Sequence, residues 1–226
     1  MQWPDLVIFD CDGVLVDSEQ IALGQVRQAL GEAGLTLTHA EAIDRFLGLS
    51  LDSIIRTAEA ELSGPLPGAF RDDLQRDILA RFSAELKGMS GVRQAVGALN
   101  CKVCVASSSS LDRIRLSLSL VGYDSLFEPN IFSATMASRG KPHPDLFLHA
   151  ARAMGTPPER CLVIEDSAPG VTAAVRAGMP VFGFVGGSHF SGFAQAERLR
   201  AVGAALIFDD MSQLPPLIAQ RCGNLP

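Results

Sequence analysis

Six short apolar runs punctuate the chain, at residues 6–9, 103–106, 131–133, 162–164, 181–184 and 205–208. None shows the apolar–polar alternation of a half-buried strand, and all are too short for a helix, so they read as buried strands of a parallel sheet. From residue 90 onward the runs alternate with segments of helical period, near 92–99, 111–121, 145–154, 170–177, 193–202 and 212–221. Strand and helix in strict alternation predict a doubly wound sheet with helices on both faces.

Residues 18–88 break that alternation, because only helical period is found there. Ser18 is placed to cap a first helix whose stripe of Ile21, Val26, Ala29, Leu30 and Ala33 ends near Gly34. Thr38 opens a second helix through Phe46 and Leu47, and Gly48-Leu49-Ser50 interrupts it. Ser50 opens a third through Leu62, stopped by Ser63-Gly64-Pro65-Leu66-Pro67-Gly68, and a fourth runs from about Phe70 to Leu86. A crossover between parallel strands needs about a dozen residues, whereas Asp10 and Lys102 stand about 90 apart. The surplus predicts a helical bundle inserted after the first strand. The fold class is therefore α/β, a doubly wound Rossmann-like parallel sheet at 1–17 and 89–226 carrying an all-helical domain at 18–88.

Composition narrows the function without naming it. With 47% hydrophobic and 19% charged residues, the 226-residue chain can bury a sizeable core. A net charge of −6 disfavours nucleic acid and anionic membrane as partners. The five cysteines stand at 11, 101, 104, 161 and 222, mostly in or beside apolar strand runs. Cys101-x-x-Cys104 has no second pair or histidine at ligand spacing, so reduced thiols and a cytoplasmic setting are expected. No basic segment leads into an apolar one at the N-terminus, and no run approaches the ~20 residues of a membrane span. A monomer acting on a small molecule is the expectation.

The chemistry gathers at strand ends. Asp10 and Asp12 follow the first run two positions apart, so both face one point, and Gly13 lets the backbone turn away. Two such charges about 5 Å apart repel by roughly 3 kcal/mol at an effective dielectric near 20. A divalent cation or one bound proton relieves this; taken alone, the residues equally suit an exposed Asp-x-Asp-Gly turn. Ser107, Lys141, Glu165 and Asp166 also follow strand runs, on the side of an open parallel sheet where ligands bind.

Asp10-Cys11-Asp12-Gly13-Val14-Leu15-Val16-Asp17, Val105-Ala106-Ser107, Gly140-Lys141-Pro142-His143-Pro144-Asp145 and Ile164-Glu165-Asp166-Ser167 stand in that order. This set resembles the haloacid dehalogenase superfamily over nearly the whole chain. The resemblance implies a phosphatase with Asp10 as nucleophile, an aspartyl-phosphate intermediate, and Asp12 as an initially protonated acid and then base. It implies Mg²⁺ held by the Asp10 carboxylate, the Asp12 main-chain carbonyl and Asp166, with Glu165 ligating or supporting. Ser107, at a helix start, would bond the phosphoryl group, the neighbouring serine run leaving Ser108 open as well, with Cys11 and Gly13 alongside and Lys141 balancing charge. The helical domain would be a cap over the site.

Sugar phosphomutases of the superfamily carry an acid/base histidine and basic cap residues where this chain has Ala22, Leu47 and Leu51. A hydrolase is therefore favoured over a mutase. Residues 9–13, 82–86 and 147–151 resemble, more loosely, a branch of bacterial sugar-acid phosphatases. Arg45 and Arg56 are the candidates for contacting a substrate carboxylate or hydroxyls. His143 is expected at the rim, with His39, His149 and His189 on the surface; Ser167 reads as a helix cap and Gly186-Gly187-Ser188 as a mobile loop. A phospho-acceptor signalling module is the rival of another class, but its acceptor follows a later strand and it has no insertion. A dinucleotide-dependent dehydrogenase fails for want of Gly-x-Gly-x-x-Gly after the first strand.

Overall fold

Leu6–Phe9 forms strand β1 at the centre of the sheet, every residue buried. The computed structural model describes residues 4–190 and 193–222. The remaining strands are β2 (Lys102–Ser107), β3 (Ile131–Ser133), β4 (Cys161–Glu165), β5 (Val181–Phe184) and β6 (Leu206–Phe208). All six pair in parallel, in the order β3-β2-β1-β4-β5-β6. The chain order reverses at β1, which leaves a crevice beyond its carboxyl end.

Helices cover both faces. Val7 and Phe9 pack under α5 (Val92–Ala98), α6 (Leu111–Leu120), α7 (Asp124–Phe127) and α11 (Leu214–Cys222). Leu6 and Ile8 point the other way, under α8 (Asp145–Ala153), α9 (Ala168–Arg176) and α10 (Phe193–Ala201). Alternate residues of one strand thus feed two separate apolar layers, so a continuous apolar run marks this strand. The doubly wound parallel sheet read from the sequence is the fold observed. The four-residue α7 was not legible, being too short to show a period.

Between β1 and β2 stand α1 (Glu19–Glu32), α2 (His39–Phe46), α3 (Leu51–Leu62) and α4 (Phe70–Glu85). They bury their own cluster, including Leu23, Leu30, Phe46, Ala58, Ile78 and Phe82. At about 1.5–3 kcal/mol for each large buried side chain, this cluster holds the four helices together. Thr38 caps α2 in a capping box with Glu41, and the Ser50 side chain caps α3. The chain enters and leaves the insertion along paired segments: Asp17 donates to the Lys87 carbonyl and Met89 to the Leu15 carbonyl, each at 2.9 Å.

Ser18 departs from expectation. Its hydroxyl makes no cap bond to α1 but donates to Asp12 Oδ1 at 2.7 Å. An acceptor close by in space outcompeted the local cap. Cys11, Cys101, Cys104 and Cys161 are free thiols, and the side chain of Cys222 lies outside the described residues. No described helix is long and apolar enough to cross a membrane.

Candidate active site

The register of β1 builds the site. Phe9 pairs with Val105 on one side and with Ile164 on the other, so Asp10 comes level with the ends of both neighbours. Lys141 Nζ spans the gap, donating to Asp10 Oδ1 at 2.8 Å and to Glu165 Oε1 at 2.5 Å. Asp10, Glu165 and Asp166 each offer an oxygen within 4.8 Å of the others, the only metal-compatible group among the described residues.

Charge in this cluster is out of balance. Burial, then the nearby Glu165 and Asp12 charges, push the Asp10 carboxyl up to about 7 against the pull of Lys141. Burial with Glu165 and Asp10 beside it drives Asp166 well above the carboxylate range. Lys141 loses solvation, yet Asp10 and Glu165 hold its ammonium above the ordinary lysine range. With all three carboxyls ionised against one ammonium the cluster would carry an excess of two negative charges, which one divalent cation would cancel; without a cation, retained protons relieve it instead.

The geometry fits such an ion. Asp166 Oδ2 is buried with no hydrogen-bond partner. Gly13, at φ +76°, approaches it so closely that a Cβ would stand 1.8 Å away. Glu165 is differently placed, because its Oε2 already accepts from the Ser167 backbone N–H at 2.7 Å and from its hydroxyl at 3.0 Å. Hard oxygen donors in this arrangement suit Mg²⁺.

Asp12 lies outside the cluster and is held by different partners. Its Oδ1 accepts from Ser18 and from Arg113 Nη2 at 2.8 Å, and its Oδ2 from Ser109 Oγ at 2.6 Å. Burial works against ionisation, but Arg113 and the two hydroxyls outweigh it and leave Asp12 below the usual range. The expected protonated Asp12 is thus ionised in this arrangement. Neither Arg113 nor Ser109 was singled out from the sequence; Ser109 sat inside the ambiguous serine run, while Arg113 gave no signal beyond a charge on the first turn of a helix.

A cavity of about 640 Å³ opens between the sheet and the insertion. Asp10, Asp12, Ser107, Ser108, Lys141 and His143 line its core side, and Glu19, Leu51, Arg56 and Gln75 its helical side. The insertion is seated on the core: Ser108 Oγ donates to the Gly48 carbonyl at 3.0 Å, Gln75 to Ser110 at 3.3 Å, and the Arg113 guanidinium lies over the Phe82 ring.

Ser107 is buried at the end of β2 and its hydroxyl accepts from Ser109 N–H, but α6 begins only at Leu111. Cys11 turns into the apolar layer under α5 and α6. Arg45 does not line the cavity; it pairs with Glu61 and stacks on Phe46. Ser167 caps α9 as read. His189 is buried rather than on the surface, its Nε2 3.1 Å from Asp166 Oδ2. Its neighbour Ser188 is tied to Asp17 Oδ1 by backbone and hydroxyl, at 3.0 and 2.8 Å.

An open parallel sheet with carboxyls and a lysine gathered at the switch point defines an α/β protein whose buried carboxyl cluster could hold a cation. The comparisons make the class specific. The chain belongs to the haloacid dehalogenase-like hydrolases, whose family model matches residues 7–184. It is 32% identical over 218 residues to 6-phosphogluconate phosphatase of Escherichia coli (strain K12), covering 96% of each chain. Among solved structures it resembles a haloacid dehalogenase-like protein of Agrobacterium tumefaciens str. C58, 40% identical, with a TM-score of 0.82 over 96% of this chain and 99% of that one. A HAD family hydrolase of Deinococcus radiodurans R1, with bound phosphate and sodium, is 32% identical, with a TM-score of 0.75 over 100% and 99% of the two chains.

Proposed function

We propose that the chain is a Mg²⁺-dependent phosphatase that hydrolyses a small sugar or sugar-acid phosphomonoester through an aspartyl-phosphate on Asp10. The observation that carries this is the joining of Asp10 to Glu165 by Lys141, beside the Asp166 oxygen that makes no hydrogen bond. Asp10 and Asp166 would hold the cation by their carboxylates, with the Asp12 carbonyl, while Glu165 orients Lys141. When bound, Mg²⁺ supplies charge stabilisation to the transferring phosphoryl group.

Asp10 attacks phosphorus, forming a P–O bond to its carboxylate as the ester P–O bond breaks. Asp12 gives its proton to the departing alkoxide and later takes one from the water that hydrolyses the aspartyl-phosphate. The Arg113-bound, ionised Asp12 corresponds to its state in this second half. Ser107 and Lys141 hold phosphoryl oxygens, and the helical insertion acts as a cap that excludes bulk water. The 6-phosphogluconate phosphatase relative supports the substrate class. A mutase reading is weaker, because the cavity wall presents Ala22 and Leu51 where an acid/base histidine and a basic residue would be needed.

A phosphate-release screen over sugar, sugar-acid and nucleotide monophosphates, with and without Mg²⁺, tests the proposal. Continuous metal-dependent release, abolished in Asp10→Asn with the fold retained, is expected. One stoichiometric phosphorylation without turnover would instead indicate the signalling module.

A further inference from the structure

Among the described residues, the buried carboxyls Asp10, Asp12 and Glu165 have hydrogen-bond partners, and Asp166 Oδ2 has His189 Nε2 3.1 Å away. Asp10 and Glu165 share Lys141, and Asp12 has Arg113 and two hydroxyls. Asp166 faces the inferred cation position and His189. Glu19 is only 8% exposed and has no hydrogen-bond or ion-pair partner among the described residues. It is the first residue of α1 and lines the cavity with Ala22, Leu23 and Val26, the only charged group on that face of the helix.

Glu19 lines the cavity, so a group that pairs with its carboxyl enters through that cavity. Its chemistry can be narrowed. A phosphoryl dianion belongs at the Lys141 ammonium, on the core side of the cavity. The carboxyl cluster of Asp10, Glu165 and Asp166 provides the cation site, and Glu19 is not part of that group. What remains is a neutral donor, and the alcohol half of a phosphate ester offers hydroxyls. The neighbouring walls of Leu23, Val26, Phe46 and Ile78 suit the carbon chain carrying them.

We propose that Glu19 is a specificity-determining residue that accepts hydrogen bonds from hydroxyls of the alcohol portion of the substrate, selecting polyhydroxylated phosphate esters over plain ones. This rests on the phosphatase reading and names what that site chooses. Burial, followed by the Asp12 and Asp166 charges, pushes the Glu19 carboxyl up to about 8, so a proton it retains would let it donate as well as accept.

The test compares kcat/KM for 6-phosphogluconate and sorbitol 6-phosphate with that for p-nitrophenyl phosphate, which has no hydroxyl, in the parent chain, Glu19→Ala and Glu19→Gln. Selectivity for the polyol esters should fall on the order of 10- to 100-fold in Glu19→Ala, mainly through KM, and less in Glu19→Gln, which keeps an acceptor oxygen and the same size. Equal losses on all three esters, or none, overturn the assignment. Hydrolysis of p-nitrophenyl phosphate alone by the parent chain overturns it while the phosphatase reading stands. If the parent releases phosphate from none of them, the phosphatase reading fails and the assignment fails with it.

Discussion

Gly13 shows how much can rest on a missing side chain. Its φ of +76° lies in the left-handed region, and the space where a Cβ would sit is taken by Asp166 Oδ2. Gly13→Ala should destabilise the protein by about 1–3 kcal/mol through backbone strain alone. It should also displace Asp166, so thermal stabilisation by Mg²⁺ should be lost, as melting with and without the metal would show. Asp10 and Asp166 could be placed together from the sequence because each directly follows a strand; Lys141 stands eight residues beyond β3, and only its motif drew attention to it. Arg113 was not, since its partnership with Asp12 spans 101 residues and leaves no local trace. His189 was misplaced for the same reason: polar residues in a glycine-rich loop read as solvated, and only the folded chain shows the loop turned inward.

Among the elements, α2 starts where Thr38 marked it, and the structure completes that cap as a box with Glu41. Thr38→Ala should cost about 1 kcal/mol in urea unfolding. The coupling also has a definite pH sign. Side-chain and backbone hydrogen bonds from Thr38 hold the Glu41 carboxyl below its ordinary 4.5. A depressed carboxylate stabilises the fold above its unfolded pKa, and that stabilisation disappears as pH falls through the lower folded value. A Thr38→Ala, Glu41→Gln double-mutant cycle should therefore show coupling at pH 7 that fades below pH 4.5. The first helix starts after Ser18 as read, but the serine hydroxyl serves Asp12 rather than the helix end.

The whole molecule joins a sheet that gathers negative charge to an insertion that covers it. The alternation of strands and helices made the sheet legible, and the surplus of helical sequence after β1 made the insertion legible. The seating of one on the other, through Ser108–Gly48, Gln75–Ser110 and Arg113–Phe82, depends on long-range contacts with no sequence pattern. The charge imbalance makes a prediction at this scale. At about 100 times its Kd, Mg²⁺ should stabilise the fold by about 2.7 kcal/mol, a rise in Tm on the order of 5–10 °C for a chain of this size. Asp166→Ala should raise the metal-free Tm by removing one of three crowded carboxyls, and should abolish most of the metal-induced rise. An unchanged metal titration would remove Asp166 from the ligand set.

In the proposed reaction Asp10 carries the phosphoryl group. Acid-quenching the enzyme during Mg²⁺-supported turnover of a sugar phosphate, followed by peptide mass analysis, reads this directly. A single phosphoryl adduct on the peptide containing Asp10, absent in Asp10→Asn, is the result expected. Turnover with no adduct there, or undiminished phosphate release by Asp10→Asn, would contradict it.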